Sequence, residues 1–253
     1  GLWKDEQIAP HRELTERVHA AGAKIFAQIY HCGRQTSSAL IGTQPVAPSA
    51  LACPSMGEIP RALTTDEIHT IVGQFGDTAL RAKQAGFDGV EVHGAHGYLV
   101  AEFLSAYSNK RTDEYGGPLR NRLRFAREII ADIRAKCGSD YPVSFRISAD
   151  EYVIGGRDIA ETIVVCRELE AAGIDLLHLS AGTYESAWAI IPPLGRPYAW
   201  LADFGARVKQ AIGIPVQLVG RIKDPETAEM LLESGKADLI SFARASLADP
   251  DLP

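Results

Sequence analysis

The chain of 253 residues is 46% hydrophobic and 23% charged, with a formal net charge of −6. Those values suit one larger globular domain, the size at which α/β barrels are common, or two small ones. They disfavour nucleic acid as a partner, because no basic block or aromatic-interleaved basic stripe occurs. No membrane partner is expected either, because no apolar run approaches the roughly 18 residues needed to span a bilayer.

Cys32, Cys53, Cys137 and Cys166 are widely spaced and form no C-x-x-C pair, so neither a zinc knuckle nor a disulfide framework is indicated. Without a signal-peptide pattern either, a reducing, cytoplasmic setting is expected. The chain starts at Gly1 directly before a helical pattern and stops at Pro253 just after a turn-like Ala-Asp-Pro-Asp. It is therefore expected to be part of a longer protein.

Residues 6–21 carry a helical pattern through Ile8, Leu14 and Val18, closed by Gly22. Residues 23–30 read as a strand, with Lys24, Phe26, Gln28 and Tyr30 on one face and Ala23, Ile25, Ala27 and Ile29 on the other. Residues 35–62 are rich in Pro, Ser and Gly and have no periodicity, which predicts a long functional or disordered loop. Thr64-Thr-Asp-Glu67 reads as a capping box, and the helix after it stops at Gly86. Residues 87–92 form an apolar strand, and a further helix runs to Gly138.

Strands are then predicted at 142–148, 174–180, 215–219 and 237–242. The helices between them include one capped by Asp158, one over 201–211, and one started by Asp224-Pro225. Six mostly apolar strands alternating with helices imply parallel strands covered by helices. A doubly wound sheet and a (β/α)8 TIM barrel both fit that pattern. The barrel is favoured because polar residues cluster at strand C-terminal ends: Gln28, His93, Arg146, Ser180, Gly220-Arg221 and Ala243-Arg244. Six strands cannot close an eight-stranded barrel, so the two absent strands are expected to lie before Gly1.

The stretch His93-Gly-Ala-His-Gly-Tyr98 carries the densest chemistry. A strand that continued past His93 would turn His93 and His96 to opposite faces. If it ends there and the chain turns at Gly94 and Gly97, both rings and Tyr98 converge. Three readings fit: a metal pair in need of a third ligand such as His178 or Glu91, histidines hydrogen-bonded within a loop, or neutral imidazoles donating to a substrate oxygen with Tyr98 as proton donor. Arg146 sits in an otherwise small or apolar strand. It either pairs internally with Asp150 or Glu151 or faces an anionic ligand. Gly220-Arg221 and Ala243-Arg244 follow the last two strands, where barrels often hold a phosphate. Tyr184 follows another strand end and either lines the same mouth or packs in its loop.

The motif from His93-Gly-Ala-His-Gly-Tyr-Leu through Asn109-Lys-Arg-Thr-Asp-Glu-Tyr-Gly-Gly117, with Asn121-Arg-x-Arg-Phe125, resembles the signature of the Old Yellow Enzyme family of flavin-dependent ene-reductases. Gln28-x-x-His-x-Gly-Arg34, Pro45-Val-Ala-Pro-Ser-Ala50, Pro60-Arg-Ala-Leu-Thr64 and Ala85-Gly-Phe-Asp-Gly-Val90 agree with it. Ser148-Ala-Asp-Glu151, Leu179 to Ser186 and the run from Ala243 to Pro253 are similar to the multidomain branch that includes 2,4-dienoyl-CoA reductase and trimethylamine dehydrogenase.

The resemblance implies FMN at the barrel mouth and NAD(P)H as electron source. Gln28 and Arg146 are implied to hold the flavin ring, and Gly220, Arg221, Ala243 and Arg244 its phosphate. His93 and His96 are implied to polarise a substrate carbonyl, with Tyr30 and Tyr184 lining the substrate side. Hydride then passes from flavin N5 to the β-carbon of an activated alkene, and Tyr98 protonates the α-carbon. Loops 35–62 and 183–200 are implied to set specificity. A 4Fe-4S cluster and FAD are implied for parts of a parent protein outside this sequence, and the oligomeric state, including a homo-oligomer, is left open.

Two departures bear on this. The phosphate motif has Ala243 where many relatives have Gly, and the dienoyl-CoA reductases lack the paired histidines. An amine dehydrogenase and a metal-dependent barrel hydrolase or lyase using His93 and His96 are the alternatives.

Overall fold

The computed structural model describes residues 1–252. Six strands form one sheet: β1 (Phe26–Ile29), β2 (Gly89–Gly94), β3 (Val143–Ser148), β4 (Leu176–Ser180), β5 (Val216–Leu218) and β6 (Leu239–Ile240). They lie in chain order and every pairing is parallel. Between them run the helices α1 (Ile8–Ala20, before β1), α2 (Thr65–Gln84), α3 (Leu99–Leu104), α4 (Arg124–Cys137), α5 (Ile159–Ala171), α6 (Ala202–Lys209) and α7 (Pro225–Glu233).

Local chemistry sets the helix ends. The Thr64 hydroxyl accepts from the Glu67 N–H, and the Glu67 carboxylate accepts from the Thr64 N–H, so two otherwise unpaired donors are satisfied reciprocally. The Asp158 and Asp224 carboxylates accept from the N–H groups of Glu161 and Thr227, and Pro225 fills the first helical position. Gly86 and Gly138 follow α2 and α4 at φ +87°, a conformation that L side chains rarely adopt.

Strand alternation gives the sheet two unlike faces. Ala27 and Ile29, Val90 and Val92, Val143, Phe145 and Ile147, Leu177 and Leu179, and Val216 and Leu218 join the helices in a single hydrophobic cluster. Within it α2 supplies Ile68, Ile71 and Phe75, and α4 supplies Ile129, Ile130 and Ile133. The other face carries Gln28, Glu91 and His93, Ser144 and Arg146, His178 and Ser180, and Gln217, none of which belongs to that cluster. A doubly wound sheet is apolar on both faces because helices cover both. One apolar face under helices and one polar face is the layering of a (β/α)8 barrel, here an arc whose edge strands β1 and β6 do not pair with each other.

Two expectations change. Strands are shorter than the apolar runs suggest; β1 spans four residues where eight were expected. Residues 35–62 are not structureless. They contain a helical turn (Ser38–Ile41) and a parallel ladder of Val46–Ala47 with Arg61–Ala62. Guanidinium groups from outside the loop tie it down: Arg34 donates to the carbonyls of Leu51 and Ala52, and Arg111 to those of Pro48 and Leu63. Such contacts leave no periodic trace in the sequence. The four cysteines are free, and no described helix is long and apolar enough to cross a membrane.

Gly94 closes β2 where the site begins, and a Cβ there would stand 2.3 Å from the Phe145 ring and 3.1 Å from the Arg146 carbonyl oxygen. Gly94→Ala is therefore expected to lose about 1–3 kcal/mol through overpacking. Urea unfolding followed by circular dichroism should show a lower midpoint at unchanged slope.

Candidate active site

β2 ends at Gly94, and the chain turns through His96 at φ +61° and Gly97 at φ +80° before Tyr98 starts α3. The turn is pinned from below: the His96 N–H donates to the Ser148 hydroxyl at the end of β3, and the Ser148 hydroxyl donates to the Gly182 carbonyl. His96 Nε2 lies 2.7 Å from the Ser180 hydroxyl at the end of β4. The left-handed backbone at His96 thus folds its ring back beside His93. The two ring centroids are 5.0 Å apart, and His93 and Tyr98 are 4.9 Å apart.

Both imidazoles are buried, at 5% and 7% exposure. Burial, seconded by the positive charge of Arg146, lowers His93 to about 4 and His96 to about 2. At neutral pH both rings are uncharged. His93 Nδ1 faces the Ala95 N–H at 3.3 Å and accepts from it, so the ring proton sits on Nε2 as an available donor. The Tyr98 hydroxyl lies 3.0 Å from the Tyr184 hydroxyl. Burial, then this hydrogen bond, pushes the Tyr98 phenol above its ordinary range, so it keeps its proton at neutral pH. The Tyr30 ring stands 5.1 Å from that of Tyr98 and is exposed at the sheet edge.

Arg146 pairs in register with His93 on one side and His178 on the other. Its alternative partners are engaged elsewhere. Glu151 faces Arg157 at 3.5 Å and accepts from the Ser105 hydroxyl, and Asp150 accepts from the Tyr152 N–H. Among the described residues Arg146 makes no salt bridge, and its buried Nε has no hydrogen-bond partner. Burial lowers its pKa, opposed by the charge of Glu91. A half-buried guanidinium with an orphaned, buried N–H suits an acceptor-rich ligand.

That ligand has space beside it. A cleft of about 460 Å3 runs from His96, Arg146 and Ser180 to Gly220, Arg221, Ala243 and Arg244. Gly220 adopts φ +131° and Arg221 φ +55°, the turn conformations that bare backbone N–H groups to an anion. A Cβ on Gly220 would meet Leu201 and the Trp200 Nε1 at 3.2 Å. Ala243 and Arg244 sit at the start of a short helix, Arg244–Ala248. The set matches a ligand with a polar ring edge and a phosphate, as FMN has. Gln28 does not line this cleft; it lies on the same polar face of the sheet, exposed on the edge strand β1, with its amide on Glu91.

The family model of the NADH:flavin oxidoreductase / NADH oxidase family matches residues 1–253. The chain belongs to this family. It is 46% identical over 250 residues to an NADH oxidase of Thermoanaerobacter brockii, covering 98% of this chain and 38% of that protein. It is 40% identical over 254 residues to an NADPH dehydrogenase of Halalkalibacterium halodurans, covering 100% of this chain and 72% of that one. Among solved structures, a 2-naphthoyl-CoA reductase in complex with 2-naphthoyl-CoA superposes over all of this chain and 40% of its own, with a TM-score of 0.95 at 33% identity. The chain thus spans well under half the length of the NADH oxidase and of the naphthoyl-CoA reductase. The family is that of the Old Yellow Enzymes, and its α/β barrel fold is the one described above.

Some contacts of this candidate site were not read from the sequence. Ser148 and Ser180 hold the His96 turn. Arg34 pairs with Glu185 at 2.7 Å and so fixes the loop that carries Tyr184. The Arg34 N–H donates to Glu102, whose carboxyl burial pushes up to about 8. The available signal was the i, i+2 spacing of polar residues on successive strands, Glu91 with His93 and His178 with Ser180. Among the described residues no group of three or more His, Cys, Asp or Glu side chains is placed to hold a metal ion.

The lowered histidine pKa values carry a pH signature. In the unfolded chain a histidine binds a proton below about 6.5, while these two stay neutral when folded. Stability is therefore lost as pH falls from about 6.5 towards 4, each ring contributing roughly 2 kcal/mol by pH 5. A His93→Asn/His96→Asn double variant is expected to lose less stability between pH 7 and pH 5 than the parent, as read from urea midpoints at the two pH values.

Proposed function

We propose that the chain forms the catalytic part of an FMN-dependent oxidoreductase that reduces an activated C=C bond, in an α,β-unsaturated carbonyl compound or an enoyl thioester, with electrons from NAD(P)H. The observation that carries this reading is the convergence of two neutral imidazoles and a protonated phenol beside a half-buried guanidinium whose Nε lacks a protein partner. When bound, FMN supplies the hydride transfer between the nicotinamide and the substrate.

The residues then divide the remaining work. Arg146 and Gln28 hold the polar edge of the ring. The backbone N–H groups of Gly220 and Ala243, with Arg221 and Arg244, hold the phosphate. The His93 Nε2–H and the His96 ring hold the substrate carbonyl and favour negative charge on its oxygen as the double bond is reduced. Tyr98 gives its proton to the α-carbon, its hydroxyl kept in place by Tyr184. Tyr30 and Tyr184 border the substrate. The likeness to an NADPH dehydrogenase and a 2-naphthoyl-CoA reductase supports both the electron source and an unsaturated acyl substrate.

The amine dehydrogenase alternative is disfavoured by the aromatic residues at the mouth. A cationic amine needs an open aromatic cage. The rings of Trp188 and Trp200 instead carry the Arg196 guanidinium, at 4.2 Å and 5.5 Å from their centroids.

Tyr98→Phe is the direct test, made on the full-length protein. Alkene reduction is expected to slow by about 10²–10⁴-fold, the usual contribution of a positioned general acid. Flavin reduction by NAD(P)H, followed by stopped-flow absorbance, should stay within about twofold of the parent. Equal loss in both half-reactions would remove Tyr98 from the proton-donor role.

A further inference from the structure

The polar face of the sheet holds a hydrogen-bond chain of which the roles above use only Gln28. It starts at Gln217, whose Nε2 donates to the Ser241 hydroxyl at 2.6 Å. Ser241 lies 3.3 Å from His178 Nε2, and His178 Nδ1 lies 2.8 Å from Glu91 Oε2. The Ser144 hydroxyl also donates to Oε2, at 3.1 Å. Across the sheet, Gln28 Nε2 donates to Glu91 Oε1 at 2.6 Å. The chain spans every strand from β1 to β5 and the residue following β6, and Glu91 is where donors arrive from both directions.

The polarity of this chain is fixed. An ionised carboxylate only accepts. Burial alone would raise the Glu91 pKa, but the hydrogen bonds from His178 and Gln28 outweigh it and hold the group at about 2, so it is ionised at any working pH. His178 must then donate from Nδ1, and the Ser241 hydroxyl accepts from Gln217. On the other side, Glu91 can take only the NH2 end of the Gln28 amide. The amide cannot turn over without setting its own oxygen against a carboxylate oxygen. Its Oε1 is left as an acceptor for another partner, on an edge strand whose polar face is open.

We infer that Glu91 is a positioning residue that locks the Gln28 amide with its oxygen outward, so that the site offers a hydrogen-bond acceptor to an N–H of the flavin's pyrimidine edge. The inference rests on the functional reading above. It makes ligand discrimination depend on a residue that need not touch the ligand. Glu91→Gln exchanges one carboxylate oxygen for NH2. His178 and Ser144 both donate to the same oxygen and retain it, so the new NH2 faces Gln28 and turns that amide over. The acceptor facing the ligand becomes a donor.

The test uses the full-length protein, stripped of flavin and titrated with FMN or with 3-deaza-FMN, in which C–H replaces the N3–H. The parent is expected to prefer FMN by roughly tenfold, the upper end of what one net hydrogen bond contributes. In Glu91→Gln the preference is expected to shrink to about twofold or less. Glu91→Asp, which keeps the charge but withdraws it from Gln28 by one methylene, should narrow the preference in the same direction and covers a Glu91→Gln protein that does not fold. A merely structural role for Glu91 would weaken both flavins equally, and an unchanged ratio overturns the inference while leaving the functional reading intact. A parent protein that takes up neither flavin overturns both.

Discussion

Arg146 is the constraint on which the site turns. Its guanidinium stands in the third of six strands, half-buried at the edge of the cleft, with no carboxylate in salt-bridge range among the described residues and a buried Nε without a partner. Partial burial of a charge costs free energy unless a ligand or neighbour compensates. Two consequences reach the neighbouring strands. The positive charge reinforces burial in keeping His93 and His96 neutral. It also makes the floor of the cleft receptive to an acceptor-rich ligand.

The scaffold can hold such a charge because the sheet keeps two unlike faces. Strands β1 to β5 send one set of side chains into the apolar layer beneath the helices and place polar side chains on the other face. The polar layer is organised rather than merely tolerated. Glu91 gathers donors from three strands, and Ser148 and Ser180 fasten the left-handed turn at His96. Above the strand ends, Arg34 couples the loop before α2 to the loop after β4 through Glu185 and the carbonyls of Leu51 and Ala52. The Tyr98–Tyr184 contact depends on that coupling, because the two tyrosines come from loops 86 residues apart in sequence.

The conformational cost of the site is concentrated in two turns. His96 and Arg221 are non-glycine residues at positive φ, and both lie at strand ends that line the cleft. Such backbone costs on the order of 1–3 kcal/mol per residue and persists where surrounding contacts over-determine it. At His96 those contacts are two serine hydroxyls; at Arg221 the contact is a hydrogen bond to the Pro193 carbonyl.

By itself the sequence determined what depends on neighbours along the chain. The alternation of strands and helices follows from hydrophobic period, and the starts of α2, α5 and α7 follow from Thr64, Asp158 and Asp224, whose caps close within three residues. The grouping of His93, His96 and Tyr98 is equally local, since a strand end and two glycines produce it. Only the tertiary structure decided what depends on partners far apart in sequence. The choice of Arg157 and Ser105 as Glu151's partners left Arg146 without a protein anion, a fact that the strand pattern held open. The order in loop 35–62 comes from Arg34 and Arg111, and the orientation of Gln28 from Glu91, 63 residues away. Hydrophobic period and capping are short-range signals. The pairing of a buried polar group is a competition among all the partners that the fold brings within 3 Å, and that competition is settled only when the strands are in register.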